Sequence, residues 1–293
     1  MSKKLREIRL RAEYVLVYFI YIFLSILPIN LVSRLGGFTF KIIGPFTKSH
    51  EIAIQNYLRI FPSSLNNESK KAVIKSWENI GKTFFELLIL NKIVNKQNKK
   101  IIIEGEEHLK KFKENNEQLI FFGIHQSNWE ILLPSIDSIG FKVGGIYRHL
   151  NNPYIDKLIL NQRSKSVPTK KSFYTPKGRQ SAKEITEAIK NKSSMVLLID
   201  QKDSAGEMIK LFNFNVKTQI GFLKIARKYN MRIIPIENSR HGINNFKLKF
   251  YPPLTCFENN MSDNETMQTI HHIIEKWIRK NPSNWFLQHN RFN

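Results

Sequence analysis

The stretch LIFFGIHQSNWEI (119–131) opens as an apolar, β-prone run and turns polar at His125. Glu130 follows His125 with four residues between them. Across a loop-to-helix turn, that spacing lets a carboxylate fold back towards the imidazole. A carboxylate on one ring nitrogen fixes the tautomer and makes the other nitrogen a better base for a hydroxyl proton. A general base of this kind contributes roughly 100- to 10,000-fold in rate. The helix expected to begin near Trp129, capped by Ser127 or Asn128, points backbone N–H groups at the same place, which suits an oxyanion or a phosphate. The same residues also read as a capping box, Ser127-x-x-Glu130, in which Glu130 only satisfies a backbone donor and His125 is a hydrogen-bonded loop residue.

Other catalytic chemistries have less in the sequence to support them. No G-x-S-x-G stands in the chain, so His125 is expected to act on a substrate hydroxyl directly, with no covalent enzyme intermediate. Cys256 is the only cysteine, which rules out an intrachain disulfide, and it reads as a packing residue. No second His or Cys stands near His125 at ligand spacing, so no metal is expected. His149, His271 and His272 read as surface or packing residues.

The elements that must position His125 are strands alternating with helices. Strands are expected at 100–104, 118–123, 142–146, 195–199, 232–236 and 246–251, and helices at 129–138, 152–163, 180–191, 218–229 and 263–280. The pattern predicts an α/β fold with a central, largely parallel mixed sheet flanked by helices. Ligands in such sheets bind beyond the carboxyl ends of the strands. The most polar strand ends are GIHQSNWE after 118–123 and IDQKDSAG after 195–199, the second carrying Asp200 and Gln201. Residues 51–95 read as helical, with Val73, Trp77, Ile80, Phe84 and Leu88 near one face.

Residues 14–32 hold no charge, are flanked by basic residues and include Tyr14, Tyr18 and Tyr21. The run predicts an N-terminal hydrophobic membrane helix, which spans the bilayer or, because of Pro28, only dips into it. Lys plus Arg is 46 against 24 for Asp plus Glu, a net charge of +22. This calls for anionic partners. A membrane-tethered nucleic-acid binder is the reading from another class, but the positives are scattered and no recognition motif is present, so no nucleic acid is expected.

His125 and Glu130 in GIHQSNWE, the stretch GGIYRHLNNPYIDKLILNQR, Asp200-Gln201 in VLLIDQKDSAG and the closing NPSNWFLQHNRF occur in this order. Together they resemble the bacterial lipid A biosynthesis acyltransferases (lauroyl and myristoyl transferases), a branch of the H-x4-D/E glycerolipid acyltransferase superfamily. The resemblance covers roughly residues 10–292. It implies a membrane-anchoring segment at 1–45 and an acyltransferase domain at 46–293. It further implies a His125/Glu130 catalytic pair and substrate contacts from Arg148, Asn128, Asp200 and Gln201. No bound cofactor is implied, since the acyl chain arrives on the phosphopantetheine of an acyl carrier protein. The implied acceptor is a phosphorylated lipid A precursor, and the implied setting is the cytoplasmic side of the inner membrane, on an anionic bilayer. A lysophospholipid acyltransferase with the same catalytic pair is the alternative. One departure from the family is Asn213, in LFNFN, where a glycine is usual; asparagine tolerates positive φ well enough to keep a turn.

Overall fold

In this computed structural model, residues 3–292 are described. The first third is helical: α1 (Lys3–Ile26), α2 (Ile29–Ile43), α3 (Lys48–Ile60), α4 (Asn66–Leu88) and α5 (Leu90–Val94). The chain then alternates through β1 (Ile101–Glu104), α6 (Lys110–Glu114), β2 (Leu119–Gly123), α7 (Leu132–Ser138), β3 (Val143–Tyr147), α8 (Pro153–Ser166), β4 (Phe173–Pro176), α9 (Arg179–Lys190) and β5 (Ser194–Leu198). A hairpin follows, β6 (Glu207–Leu211) and β7 (Phe214–Thr218), and then α10 (Gly221–Lys228), β8 (Arg232–His241), β9 (Asn245–Phe250) and α11 (Asp263–Lys280).

Seven strands form one sheet in the order β1-β9-β8-β2-β5-β3-β4. Every neighbouring pair is parallel except β8 with β9. The expected α/β class with a largely parallel mixed sheet is therefore present. Strand β2 lies mid-sheet, and its side chains alternate between two cores. Ile120 and Phe122 face Val73, Trp77, Leu223, Met267 and Ile274, while Leu119 and Phe121 face Leu90, Ile131, Ile136, Ile234 and Phe250. Burial on both faces explains why LIFF reads as an unbroken apolar run.

Strand β4 and the β6–β7 hairpin were not anticipated. FYTP is short and ends in proline, which gives little strand signal. The hairpin turns through Phe212 (φ 49°) and Asn213 (φ 67°), a pair of left-handed residues that matches the twist of two antiparallel strands. Asn213 thus keeps the turn, as expected.

The single membrane helix anticipated at 14–32 is not found. Pro28, which cannot continue a helix interior, divides the run between α1 and α2, and no described helix is long and apolar enough to cross a membrane. Helix α2 instead packs on α4. A Cβ at Gly36 would meet the Gly81 carbonyl oxygen at 2.4 Å, so this crossing depends on glycine. The outward faces of α1 and α2 remain apolar and exposed: Leu16, Phe19, Phe23 and Ile26 on one, Phe38, Ile42 and Ile43 on the other, with Phe46 just beyond.

Candidate active site

Strands β2 and β5 are parallel neighbours with Gly123 opposite Leu198. Two residues further along each strand come His125 and Asp200. Adjacent strands lie about 4.8 Å apart, so the register alone brings imidazole and carboxylate together. His125 Nδ1 lies 2.8 Å from Asp200 Oδ1, and the His125 backbone N–H donates to both Asp200 oxygens at 3.1 Å. The indole of Trp285 donates to Asp200 Oδ2 at 2.7 Å. A carboxylate at Nδ1 makes that nitrogen the protonated one and leaves Nε2 as the acceptor. The Gln201 side-chain nitrogen stands 3.2 Å from Nε2, where the N–H of a neutral amide can donate. Burial works against the Asp200 charge. The His125 ring, the Trp285 indole and the His125 backbone outweigh it and hold the carboxyl below its ordinary range.

Glu130 is elsewhere. Its carboxylate takes a two-pronged contact from Arg163, Nε to Oε2 at 2.8 Å and Nη2 to Oε1 at 2.7 Å, and accepts from the Trp129 indole at 3.2 Å. The Arg163 guanidinium also lies over the rings of Tyr147 and Tyr174. Burial disfavours its charge, but Glu130 more than compensates and Arg163 is held above its usual range. The expected contact between Glu130 and the imidazole is therefore replaced. The anion on His125 is Asp200, because strand register reaches His125 before the turn of the loop can bring Glu130 back. The capping reading of the loop holds in modified form: Asn128, rather than Ser127, accepts from the Glu130 backbone N–H at 3.1 Å.

Asn128 was expected to touch substrate. It is fully buried and its amide is spent inside the protein, with Nδ2 donating to Glu86 and Oδ1 accepting from Glu130. Glu86 in turn collects Ser33 and both terminal nitrogens of Arg240. This buried cluster forms the floor of the loop. Ser127 takes a left-handed backbone (φ 51°) held by its N–H to Asn284 and its carbonyl to Thr83. Ser127 Oγ is sealed from solvent.

Arg148 follows β3, two strands from β2, about 10 Å from His125 by strand spacing. It is exposed and has no ion pair among the described residues. Its neighbour His149 pairs with Asp156. Asn152 caps α8 with Pro153 in the first turn, as the sequence suggested.

Aromatic rings line the open side of the imidazole. Trp129 stands 5.3 Å from the His125 ring and stacks on Phe286 at 5.9 Å with 13° between planes. Phe84 meets Trp129 edge-on and stacks on Phe40 of α2. An apolar track thus runs from His125 to the exposed face of the N-terminal helices.

Two site residues were missed from sequence, Arg163 and Trp285. Both lie inside stretches singled out for other reasons. Trp285 belongs to a C-terminal strap that runs along the loop: Gln126 and Trp285 form an antiparallel bridge, and the Phe286 N–H donates to the His125 carbonyl at 2.8 Å. Asn56 of α3 and Ser76 and Asn79 of α4 hold the strap from behind through its carbonyls.

A search of curated proteins finds no match. Among solved structures the chain is similar to the 1-acyl-sn-glycerophosphate (LPA) acyltransferase PlsC from Thermotoga maritima, at 15% identity and TM-score 0.41, covering 87% of this chain and 97% of that one. That likeness is too distant to carry an argument. The family comparison is different in kind, because the match to Bacterial lipid A biosynthesis acyltransferase runs over residues 1–293 and includes each segment that builds the site. With that match over its whole length, the chain belongs to the bacterial lipid A biosynthesis acyltransferase family and is an acyltransferase.

Proposed function

We propose that this protein moves a fatty acyl chain from the thioester of an acyl carrier protein to a hydroxyl of a phosphorylated lipid A precursor, with His125 as general base and Asp200 as its carboxylate. The observation that carries this is the contact of His125 Nδ1 with Asp200, which leaves Nε2 as the proton acceptor at the mouth of an aromatic track. The acceptor hydroxyl displaces the Gln201 amide and gives its proton to Nε2. Its oxygen attacks the thioester carbonyl, a C–O bond forms, and the C–S bond breaks. The imidazolium then returns the proton to the departing thiolate. Ser127, the only hydroxyl residue of the loop, has its Oγ sealed from solvent, which supports transfer without an acyl-enzyme.

Trp129, Phe286, Phe84 and Phe40 give the acyl chain an apolar wall. The exposed apolar faces of α1 and α2, with basic residues at the start of α1, suit a helix pair lying in the interface of an anionic bilayer on the cytoplasmic side of the inner membrane. On this reading residues 1–45 attach to lipid and 46–293 carry the chemistry. Arg148, exposed at the same sheet edge, meets an acceptor phosphate. Glu130 acts indirectly: by fixing Arg163 and Trp129 it holds the wall beside His125.

The test is an assay of the purified protein with acyl carrier thioester and either a tetraacylated lipid A precursor or lysophosphatidic acid, read by mass spectrometry. The proposal expects one added acyl chain on the first acceptor. Transfer only to the second acceptor would favour the lysophospholipid alternative.

A further inference from the structure

We infer that Trp285 is a positioning residue for the His125–Asp200 dyad: its indole N–H both orients the Asp200 carboxylate and draws off part of its charge. This rests on the reading of that dyad as the general base. Asp200 is almost fully buried, so its charge has to be met by protein donors. Three of its contacts come from His125 itself, through the ring and the backbone. A further hydrogen bond comes from Trp285, at 2.7 Å, from a different part of the chain. Trp285 is itself only 1% exposed, and a buried indole needs an acceptor for its N–H. Its backbone is fixed on both sides, by the bridge to Gln126 and by Ser76 Oγ on its carbonyl. The strap that sets the His125 backbone therefore also aims a donor at the carboxylate that holds the His125 ring.

An imidazole bonded to a carboxylate with no other donor is pulled towards its protonated form, in which it cannot act as a base. A second donor on the same carboxylate weakens that pull. Removing the indole N–H should thus strengthen the Nδ1–H···Oδ1 bond and keep the dyad protonated to higher pH. The other titratable or charged groups around the dyad are His289 of the strap, which burial pushes down to about 4, Arg291 of the strap, Lys202 after β5, and the Glu130–Arg163 pair beyond Trp129. None of them is altered by a Trp285→Phe change, which keeps an aromatic ring and removes the donor.

The experiment reads the dyad in two ways on the full-length protein. By proton NMR, Trp285→Phe is expected to move the Nδ1–H resonance of His125 downfield; that resonance is identified by its loss in His125→Asn. In the pH profile of kcat/KM for acyl transfer, the acid limb should rise by roughly half a pH unit or more, since half a pH unit corresponds to roughly a quarter to a half of the net worth of a hydrogen bond to a charged group. Trp277→Phe, a buried indole packed on Phe122 away from the dyad, should move neither. If Trp285→Phe does not fold, the wild-type protein still provides the test: the Trp285 indole proton should shift as the dyad titrates and move again in Asp200→Asn. A ring resonance and acid limb that stay in place in Trp285→Phe, or an indole proton that ignores the titration, overturns the inference. If the resonances behave as stated but no acyl transfer occurs to any acceptor, the coupling stands and the proposed activity falls.

Discussion

Glu130 and Asp200 are two carboxylates near His125, the first in sequence and the second in space, and they have been placed in opposite company. Asp200 stands against an imidazole, receives an indole and a backbone N–H, and is held as a low-lying anion. Glu130 stands five residues from that imidazole in sequence yet is locked to a guanidinium and the neighbouring indole. The difference teaches that nearness along a loop is a poor guide to which carboxylate serves a histidine. Parallel strand register fixes a partner 75 residues away at hydrogen-bond distance, whereas the nearer carboxylate turns away from the imidazole to a buried guanidinium.

The sharpest way to break this comparison is at the imidazole itself. His125→Ala should lower turnover by roughly 100- to 10,000-fold with the melting temperature nearly kept, measured by acyl transfer and thermal unfolding. Asp200→Asn should follow closely, at about 100-fold or more, because an amide no longer selects the tautomer with Nε2 free. Glu130→Ala separates the two carboxylates. It strands a buried guanidinium, so it should cost stability on the order of 3–5 kcal/mol in denaturant unfolding. A companion Arg163→Met change should recover much of that stability, whereas no second change should rescue Asp200→Asn. If Glu130→Ala leaves stability intact and removes turnover, the two roles have been assigned the wrong way round.

A smaller effect is expected at Arg148, where Ala should raise KM for a phosphorylated acceptor about tenfold with kcat little changed, consistent with one exposed cation–phosphate contact. A last effect is a pH dependence away from the site. Burial pushes His271 down to about 4, so it folds neutral and the unfolded chain takes up its proton first. Stability should therefore fall as pH drops from about 6.5 towards 4, by up to about 1.4 kcal/mol per pH unit for this one proton. His271→Gln should flatten that slope in urea melts taken across the window.

Much of this architecture was readable in the sequence. LIFF announced a strand buried on both faces, the alternation after residue 100 gave the α/β class, and Asn152-Pro153 marked a helix start that the structure has. The two polar strand ends were recognised as the places for chemistry. What could not be read was their adjacency: β2 and β5 are neighbours only because the β3–β4 segment lies beyond them at the sheet edge, and local pattern does not encode strand order. Glu130 was misdirected for the same reason, since Arg163 reaches it from α8, a helix whose packing no spacing rule predicts. The apolar run at 14–32 looked like one span because hydropathy averages over Pro28, which divides it. Trp285 went unassigned because its partner is more than eighty residues away and its own surroundings read as a closing loop.

The strap has one more consequence, concerning time. A ribosome that has finished residue 284 has already made the whole sheet, the imidazole and its carboxylate. The indole that meets the carboxylate, and the amide that fastens the histidine's own carbonyl, come only with the next two residues. The strap is thus a late clasp: the His125–Asp200 pair is held from this side only once residues 283–289 have settled against α3 and α4.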